Sequence, residues 1–332
     1  MAEQPSEEIT VSVLITTYRH EAYIAECLDS VVAQVTDFRY EVLVGVDDGG
    51  DRTLEICRSY EAKYPDKLSV VLNDSSNVLL IRNQRVGRYN FLNILKQAKG
   101  KYIARLDGDD YWTTPQKLQM QVDFLEAHPE CAVCHAWHEY AFPMEKGFEL
   151  RPAPTEGQGY CPKEIATLSE IFQNKLRIKT RTILFKNIGG ELPEWFHKIK
   201  FGDVALSIIL GGYGKFGFID EPLAVYRMTH TGASRQGLKD PLFNFNHNIE
   251  WIRIWEYGMR AYTPQYDAEA LETIFYFYRV IFSNYRFSFK ILRMSREFLK
   301  NESVLNEENK RKVRAKLFGL WFKSGFVKPE VK

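Results

Sequence analysis

Two acidic clusters stand out in the chain of 332 residues: Asp47-Asp48-Gly49-Gly50-Asp51 and Asp107-Gly108-Asp109-Asp110. Carboxylates this close repel one another, and burial makes their charge costlier still. A divalent cation removes that cost. Mg2+ and Mn2+ favour carboxylate oxygens, and Mg2+ usually completes its shell with water and substrate phosphates. The chemistry expected of the clusters is therefore metal-assisted handling of a phosphorylated substrate. The alternative is that these carboxylates cap helices or shape loop turns, and Asp51 just ahead of Thr53 suits it. Neither G-x-G-x-x-G nor G-x-x-x-x-G-K-[ST] follows the first expected strand, which disfavours a nicotinamide cofactor and a P-loop nucleotide triphosphatase. A bound metal with basic residues is the expected substitute for a phosphate-cradling loop.

The elements that must position these clusters alternate strand and helix. Apolar runs rich in β-branched residues predict strands over Val11–Thr17, Tyr40–Val46, Leu68–Leu72 and Tyr102–Leu106. Between them, Ile24, Leu28, Val31 and Val32 form one helical stripe, and Leu54, Cys57 and Tyr60 fall in phase on a helix over Thr53–Tyr64. A third helix is expected over Gln84–Lys99, with Gly100 as its C-cap. Four strands with helical crossovers imply a Rossmann-like, mostly parallel sheet flanked by helices, which binds ligands beyond the C-terminal strand ends. The first strand exits into Thr16-Thr17-Tyr18, the second into Asp47–Asp51, and the fourth into Asp107–Asp110.

Composition narrows the class. Lys+Arg number 44 against 43 Asp+Glu, apolar residues are 45% and charged residues 26%, so the chain is globular and has no basic excess for nucleic acid. Aromatics reach 14%, which suits a large core as well as sugar or lipid contact. The five cysteines are odd in number and scattered, so a reducing compartment is expected. The N-terminal MAEQPSEEIT lacks the pattern of a secretory signal, and no run of 18 apolar residues occurs. The expected location is cytoplasmic, either free or peripheral on the inner face of a membrane.

With these motifs in place, the sequence resembles the family 2 inverting glycosyltransferases of the GT-A fold. The resemblance rests on VSVLITTYRHEAYIAECLDSVVAQ, YEVLVGVDDGGDRT, AKGKYIARLDGDDYWTTPQKLQMQVDFLEAHPE and FGDVALSIILGGYGKFGFIDEPLAVYRMTHTGAS, in the family's order from Val11 to Ser234. It implies that Thr16, Tyr18 and Asp48 contact the donor's base. It implies that Asp107 faces the ribose or metal, that Asp109 binds the metal, and that Asp110 shares that task. The implied cofactor is Mn2+ or Mg2+, bridging the donor's two phosphates. Asp203, opening an apolar helix, matches the general base that takes the acceptor hydroxyl's proton, although a dipole-complementing acid would look the same. Gly202 stands where the family carries a partner glutamate. In the segment Tyr226–Ser234, His230 matches a metal or diphosphate contact, and Arg227 serves structure or phosphate. Arg85 and Arg88 are further diphosphate candidates, with a solvated helix face as the alternative. Thr16, Arg19 and Gly50 replace the family's usual proline, asparagine and serine, which bears on donor preference.

Other features are read from the residues alone. Cys131-x-x-Cys134-His135-x-x-His138 has zinc-ligand residue types, but a strand over Cys131–Tyr140 would alternate them between faces and could not close a tetrahedron. The stretch Met144–Pro162 is rich in Pro and Gly and is expected to be a long loop near the site. Tyr111, Trp112, Trp195 and Phe196 are candidates for sugar stacking or for the core. Beyond Pro241 helical periodicity takes over, with stripes Phe287/Ile291/Met294/Phe298 and Val313/Leu317/Leu320. From Arg286 onward there are 13 basic and 5 acidic residues, which suits either an anionic membrane surface or a packed bundle with a solvated basic face.

The expected organisation is a donor-binding half over residues 9–110, an acceptor-binding half over 111–240 and a basic helical extension over 241–332. The expected activity is metal-dependent, inverting transfer of a sugar from a nucleoside diphosphate donor, UDP-linked by preference, to a hydroxyl of a saccharide or lipid-linked acceptor. The rivals are a sugar nucleotidyltransferase, which would carry a glycine- and basic-rich loop after the first strand, and a non-catalytic sugar-nucleotide or glycan-binding module.

Overall fold

Apolar and β-branched residues run almost unbroken through strand β1 (Ile9–Thr17), where Val11, Val13, Leu14 and Ile15 are fully buried. A strand covered on both faces needs that continuity. Helix α1 (Ile24–Val32) leads to β2 (Arg39–Asp47), and α2 (Thr53–Lys63) leads to β3 (Leu68–Asn73). β1 pairs β2, and β2 pairs β3, all parallel. The structure, a computed structural model, describes residues 8–74, 76–77, 79–154, 163–190, 192–228 and 242–324.

The next stretch differs from expectation. Arg82 and Asn83 both adopt positive φ, 49° and 61°, as a two-residue hairpin turn requires. The turn pairs β4 (Leu79–Ile81) with β5 (Gln84–Val86). The helix expected from Gln84 therefore starts later, as α3 (Arg88–Leu95). β6 (Tyr102–Asp107) then returns beside β1, again parallel.

The chain continues through β7 (Tyr111–Trp112), α4 (Lys117–Ala127), β8 (Cys131–Pro143), β9 (Phe148–Pro152), β10 (Ile165–Ala166), α5 (Leu168–Phe172), β11 (Leu184–Lys186), α6 (Gly202–Leu210) and β12 (Lys215–Arg227). The main sheet runs β10-β12-β8-β11-β6-β1-β2-β3, with β7 on β12 and β9 on β8. It is parallel from β6 to β3 and between β8 and β12, and the short β11 joins the two parallel parts antiparallel to both neighbours. One sheet thus carries both halves of the site. Part of the stretch expected to be a loop at Met144–Pro162 is the strand β9, hydrogen-bonded to β8. Residues 155–162 of that stretch lie outside the described residues.

Among the described residues four helices follow: α7 (Phe243–Tyr262), α8 (Asp267–Asn284), α9 (Phe289–Asn301) and α10 (Glu307–Ser324). Their apolar faces are continuous with the core of the sheet. Trp255, Ile281, Val313 and Leu317 belong to the same buried cluster as Phe172, Phe185 and Ile208. The opposite sheet face packs Val13, Ile15 and Val44 against Leu28 of α1 and Leu118 of α4. No helix among the described residues is long and apolar enough to cross a membrane.

The Cys/His run lies in β8, with Cys131, Cys134, His135 and His138 all buried. His135 packs on Phe218, ring centroids 5.1 Å apart, and His138 on Tyr140 at 4.9 Å. Neither Nε2 has a hydrogen-bond partner. Burial pushes both imidazoles down to about 3. The folded state therefore holds them neutral, and their stability is intact above the unfolded value near 6.5 and is lost as pH falls from there toward 3. His135→Phe/His138→Phe is expected to flatten the acid arm of stability by several kcal/mol, on the order of what two such shifts carry. Urea midpoints between pH 7 and 4 measure it, and an unchanged slope contradicts it.

Candidate active site

The site is built at the C-terminal ends of β1, β2 and β6. Thr16 on β1 sits opposite Asp107 in the parallel register, and its Oγ1 donates to Asp107 Oδ1 at 2.9 Å. Thr16, expected at the donor base, thus holds the first carboxylate of the Asp107–Asp110 turn. The Gly108 N–H donates to Thr16 O at 2.9 Å. A Cβ on Gly108 would lie 2.8 Å from Thr17 Cβ and 3.0 Å from His20 Nδ1, so the turn requires glycine there.

Asp110 differs from its expected role as a metal ligand. It is fully buried, its Oδ2 accepts from Arg181 Nε at 2.7 Å, and its Oδ1 accepts from the Arg227 N–H at 3.0 Å. Burial pushes the carboxyl up to about 7, and the Arg181 guanidinium works against that push. With both oxygens engaged, Asp110 anchors the turn. Arg227, also buried, donates from Nη1 to Asp109 O at 2.7 Å and pairs through Nη2 with Glu26 of α1. Its structural reading is the one realised. Arg181→Met should destabilise the protein by about 3–5 kcal/mol by stranding a buried carboxylate. Arg181→Met/Asp110→Leu should recover part of that loss in urea unfolding, and a harmless single substitution would contradict the anchor role.

Asp109 remains free to act. It is half-buried, and burial together with the Asp107 charge pushes its carboxyl up to about 6. His20 Nε2 lies 3.8 Å from Asp109 Oδ2, while His20 Nδ1 is buried without a hydrogen-bond partner. Burial lowers the His20 imidazole, opposed by the charges of Asp107, Asp110 and Asp51.

Tyr18 and Asp48 lie on neighbouring loops. Arg19 Nε donates to Gly49 O at 2.9 Å, and the Arg19 guanidinium sits 5.3 Å from the Tyr18 ring centroid. Asp48 is exposed, and its Oδ1 accepts from the Gly50 N–H at 2.9 Å. Asp51 accepts from the Thr53 N–H and hydroxyl and from the Glu21 N–H, so it shapes the loop turn ahead of α2, whose N-cap is Arg52. Arg85 lies on β5, but its side chain is outside the described residues, and so is His230.

Asp203 occupies the first turn of α6 and is half-buried. Arg88, a diphosphate candidate with a solvated helix face as the alternative, is instead buried and clamps the segment leading into that helix. Its Nη1 donates to Phe196 O at 2.6 Å and to Ile199 O, and its Nη2 donates to Lys200 O at 3.1 Å. Burial pulls Arg88 down to about 10, Arg105 adds to that, and the Asp203 charge opposes it. A Cβ on Gly202 would lie 3.2 Å from Arg88 Nη2. The glycine in place of a glutamate therefore makes room for the clamp. Arg105 lies on β6 two residues before Asp107, on the same strand face, with its guanidinium 3.9 Å from the Phe91 ring centroid. Burial lowers its pKa, while Asp107 and Asp203 both raise it, so this cation lies in the field of both acids. Lys179 also feels Asp203.

Of the sugar-stacking candidates, Trp112 and Phe196 are core residues, 4% and 1% exposed. Trp195 is part-buried against Tyr257, with rings parallel within 8° at 5.8 Å, and Tyr111 lies under the Arg227 guanidinium. Sequence reasoning missed His20, Arg105, Arg181 and Glu26. His20 was within reach of the strand-end rule, three residues beyond Thr17. Arg105 shares a strand face with Asp107. Arg181 meets Asp110 across 71 residues, a contact without local signature.

Among the described residues, no three His, Cys, Asp or Glu side chains converge to hold a metal ion by themselves. The available set is the two carboxylates of Asp107 and Asp109. These are hard oxygen ligands, crowded and partly desolvated, and they suit Mg2+ or Mn2+ that takes its remaining ligands from phosphates and water.

The chain is similar to several known proteins. A stretch of an uncharacterized protein of Mycobacterium tuberculosis is 39% identical over 125 residues, 37% of this chain and 34% of that protein. The chain thus spans about a third of the length of the first curated relatives it matches. Residues 1–349 of TarS from S. aureus, solved with UDP-GlcNAc, superpose with a TM-score of 0.63 at 16% identity, covering 96% of this chain and 91% of that one. The mannosyltransferase PcManGT from Pyrobaculum calidifontis, solved with GDP-Man and Mn2+, gives 0.53 at 15% identity, covering 97% and 88%. Residues 12–181, more than half of the chain, match the profile of glycosyl transferase family 2. The chain therefore belongs to glycosyl transferase family 2 and has the GT-A fold.

Proposed function

We propose that the protein is an inverting glycosyltransferase that moves a sugar from a nucleoside diphosphate donor, UDP-linked by preference, to a hydroxyl of a saccharide or lipid-linked acceptor. The observation that carries this reading is the carboxylate turn after β6, in which the Thr16 hydroxyl holds Asp107 next to Asp109. Asp107 and Asp109 end β6, Asp203 opens α6, and Arg105 lies in the field of both Asp107 and Asp203. The sugar nucleotides named with the structural neighbours, UDP-GlcNAc and GDP-Man, support this donor class.

In this account Tyr18 and Asp48 receive the base on the rim formed by the loops after β1 and β2. Thr16 orients Asp107 toward the donor through its 2.9 Å hydrogen bond. Asp107 and Asp109 would hold the divalent cation, which when bound supplies charge stabilisation for the departing diphosphate. Asp203 accepts the acceptor hydroxyl's proton as that oxygen bonds to the anomeric carbon and the carbon–phosphate oxygen bond breaks. A single displacement of this kind inverts the anomeric centre. Arg88 fixes the position of Asp203 by clamping the segment before α6. Arg85 and His230 are the proposed contacts to the diphosphate, and Asp110 anchors the turn that carries Asp109.

A donor panel tested by thermal shift with Mn2+, followed by acceptor trials with the best binder, examines the proposal. At least one nucleoside diphosphate sugar should raise the melting temperature in a Mn2+-dependent way and should turn over. If none binds, the reading fails.

A further inference from the structure

The α9–α10 end of the molecule presents an aromatic surface that the reaction does not use. Trp321 of α10 is buried beneath Phe289 of α9, ring centroids 4.6 Å apart, with Phe318 at 5.4 Å and Phe287 at 5.9 Å. The outer rings remain exposed: Phe289 by 70%, Phe318 and Phe322 by 52%, and Phe287 by 45%. Four of the five exposed phenylalanines among the described residues lie in this one place. Scattered exposed apolar residues are ordinary, but a contiguous aromatic group marks a binding surface.

Charge identifies the occupant. Residues 286–296 contain Arg286, Lys290, Arg293 and Arg296 and no acid, and residues 314–324 contain Arg314, Lys316 and Lys323 and no acid. The acids of this helix pair, Glu297, Glu302, Glu307 and Glu308, lie toward its far end, where Glu302 pairs with Arg253 and Glu308 with Lys312. Among the described residues the aromatic end therefore carries an excess of cations over acids, with Lys316 paired to Glu272 of α8 and Arg293 to Glu297. We propose that this end docks on an anionic lipid surface, with the four phenylalanines at the headgroup–acyl boundary and the Lys and Arg side chains on anionic headgroups. The inference does not depend on the donor or the chemistry of the site. Val313, Leu317 and Trp321 of α10 are core residues, so the surface is part of the folded body.

The test uses the full chain and point substitutions. The protein should sediment with phosphatidylcholine vesicles containing phosphatidylglycerol in equal part, and not with phosphatidylcholine alone. Phe289→Ser/Phe318→Ser and, separately, Lys290→Glu/Lys323→Glu should each lower the partition coefficient about tenfold or more. The thermal midpoint of Lys290→Glu/Lys323→Glu should stay unchanged, because both side chains are exposed, and Phe289→Ser/Phe318→Ser, which uncovers Trp321, should keep a cooperative transition at a somewhat lower temperature. Equal binding to both vesicle types overturns the proposal, as does unchanged binding by both variants. A phenylalanine variant that dissociates a dimer in light scattering while still sedimenting with vesicles also overturns it, and would assign the surface to a second copy of the chain.

Discussion

Asp203→Asn is expected to lower sugar transfer by roughly 10²–10⁴-fold while leaving donor affinity within about twofold, the signature of a lost general base. The asparagine keeps the size and the polar contacts but cannot take a proton. Asp203 sits in the first turn of α6, behind a segment whose carbonyls are held by Arg88. Its geometry should therefore survive the change. Turnover with the best donor–acceptor pair, set beside calorimetric titration of the nucleoside diphosphate, separates the two effects. Arg88→Ala should produce a related but different pattern, with kcat falling, donor binding retained, and rescue by Arg88→Lys only partial, because an ammonium cannot reach three carbonyls in the guanidinium's fork. Near-normal turnover of Asp203→Asn would remove Asp203 from the mechanism.

The second large effect belongs to Asp109. Asp109→Asn is expected to abolish the Mn2+-dependent donor stabilisation and to lower kcat/KM by about three orders of magnitude, since one of two anionic ligands is lost. Without metal, the same substitution should leave the protein as stable as the parent or slightly more so. Asp109 is partly desolvated next to Asp107, and a neutral amide relieves both burdens. This opposite sign in the metal-free and metal-loaded states distinguishes a ligand from a structural carboxylate. Asp110→Asn should instead destabilise both states, because it weakens the buried pair with Arg181. If Asp109→Asn destabilises the metal-free protein as Asp110→Asn does, the division of roles within the turn is wrong.

The parallel strands were legible because a strand buried on both faces must be apolar at nearly every position, as Val11–Ile15 (Ser12 excepted) and Val42–Val46 are. The acid positions followed, since anything just beyond such strands lies at the ligand-binding edge. Long-range pairings were not legible. The antiparallel β11 has three residues and no periodicity to detect. Strand β5 falls inside the helix expected over Gln84–Lys99 because the turn residues ahead of it, Arg82 and Asn83, are not the usual glycine pair. Asp110 looked identical to Asp109 in the sequence, and only Arg181 and the Arg227 backbone, distant in the chain, separate an anchor from a ligand. Gly202, a departure from the family pattern when read alone, gains a physical reason from its contact with Arg88.

The central claim is that the Asp107–Asp109 pair and Asp203 together expel a nucleoside diphosphate from an activated sugar. Phosphorus NMR of the reaction with the best donor, an acceptor and Mg2+ tests this directly. The account predicts accumulation of the nucleoside diphosphate, with its terminal phosphorus a monoester, in amounts equal to the glycosylated product and lost in Asp203→Asn. Accumulation of inorganic pyrophosphate, or nucleoside diphosphate release undiminished in Asp203→Asn, would contradict it.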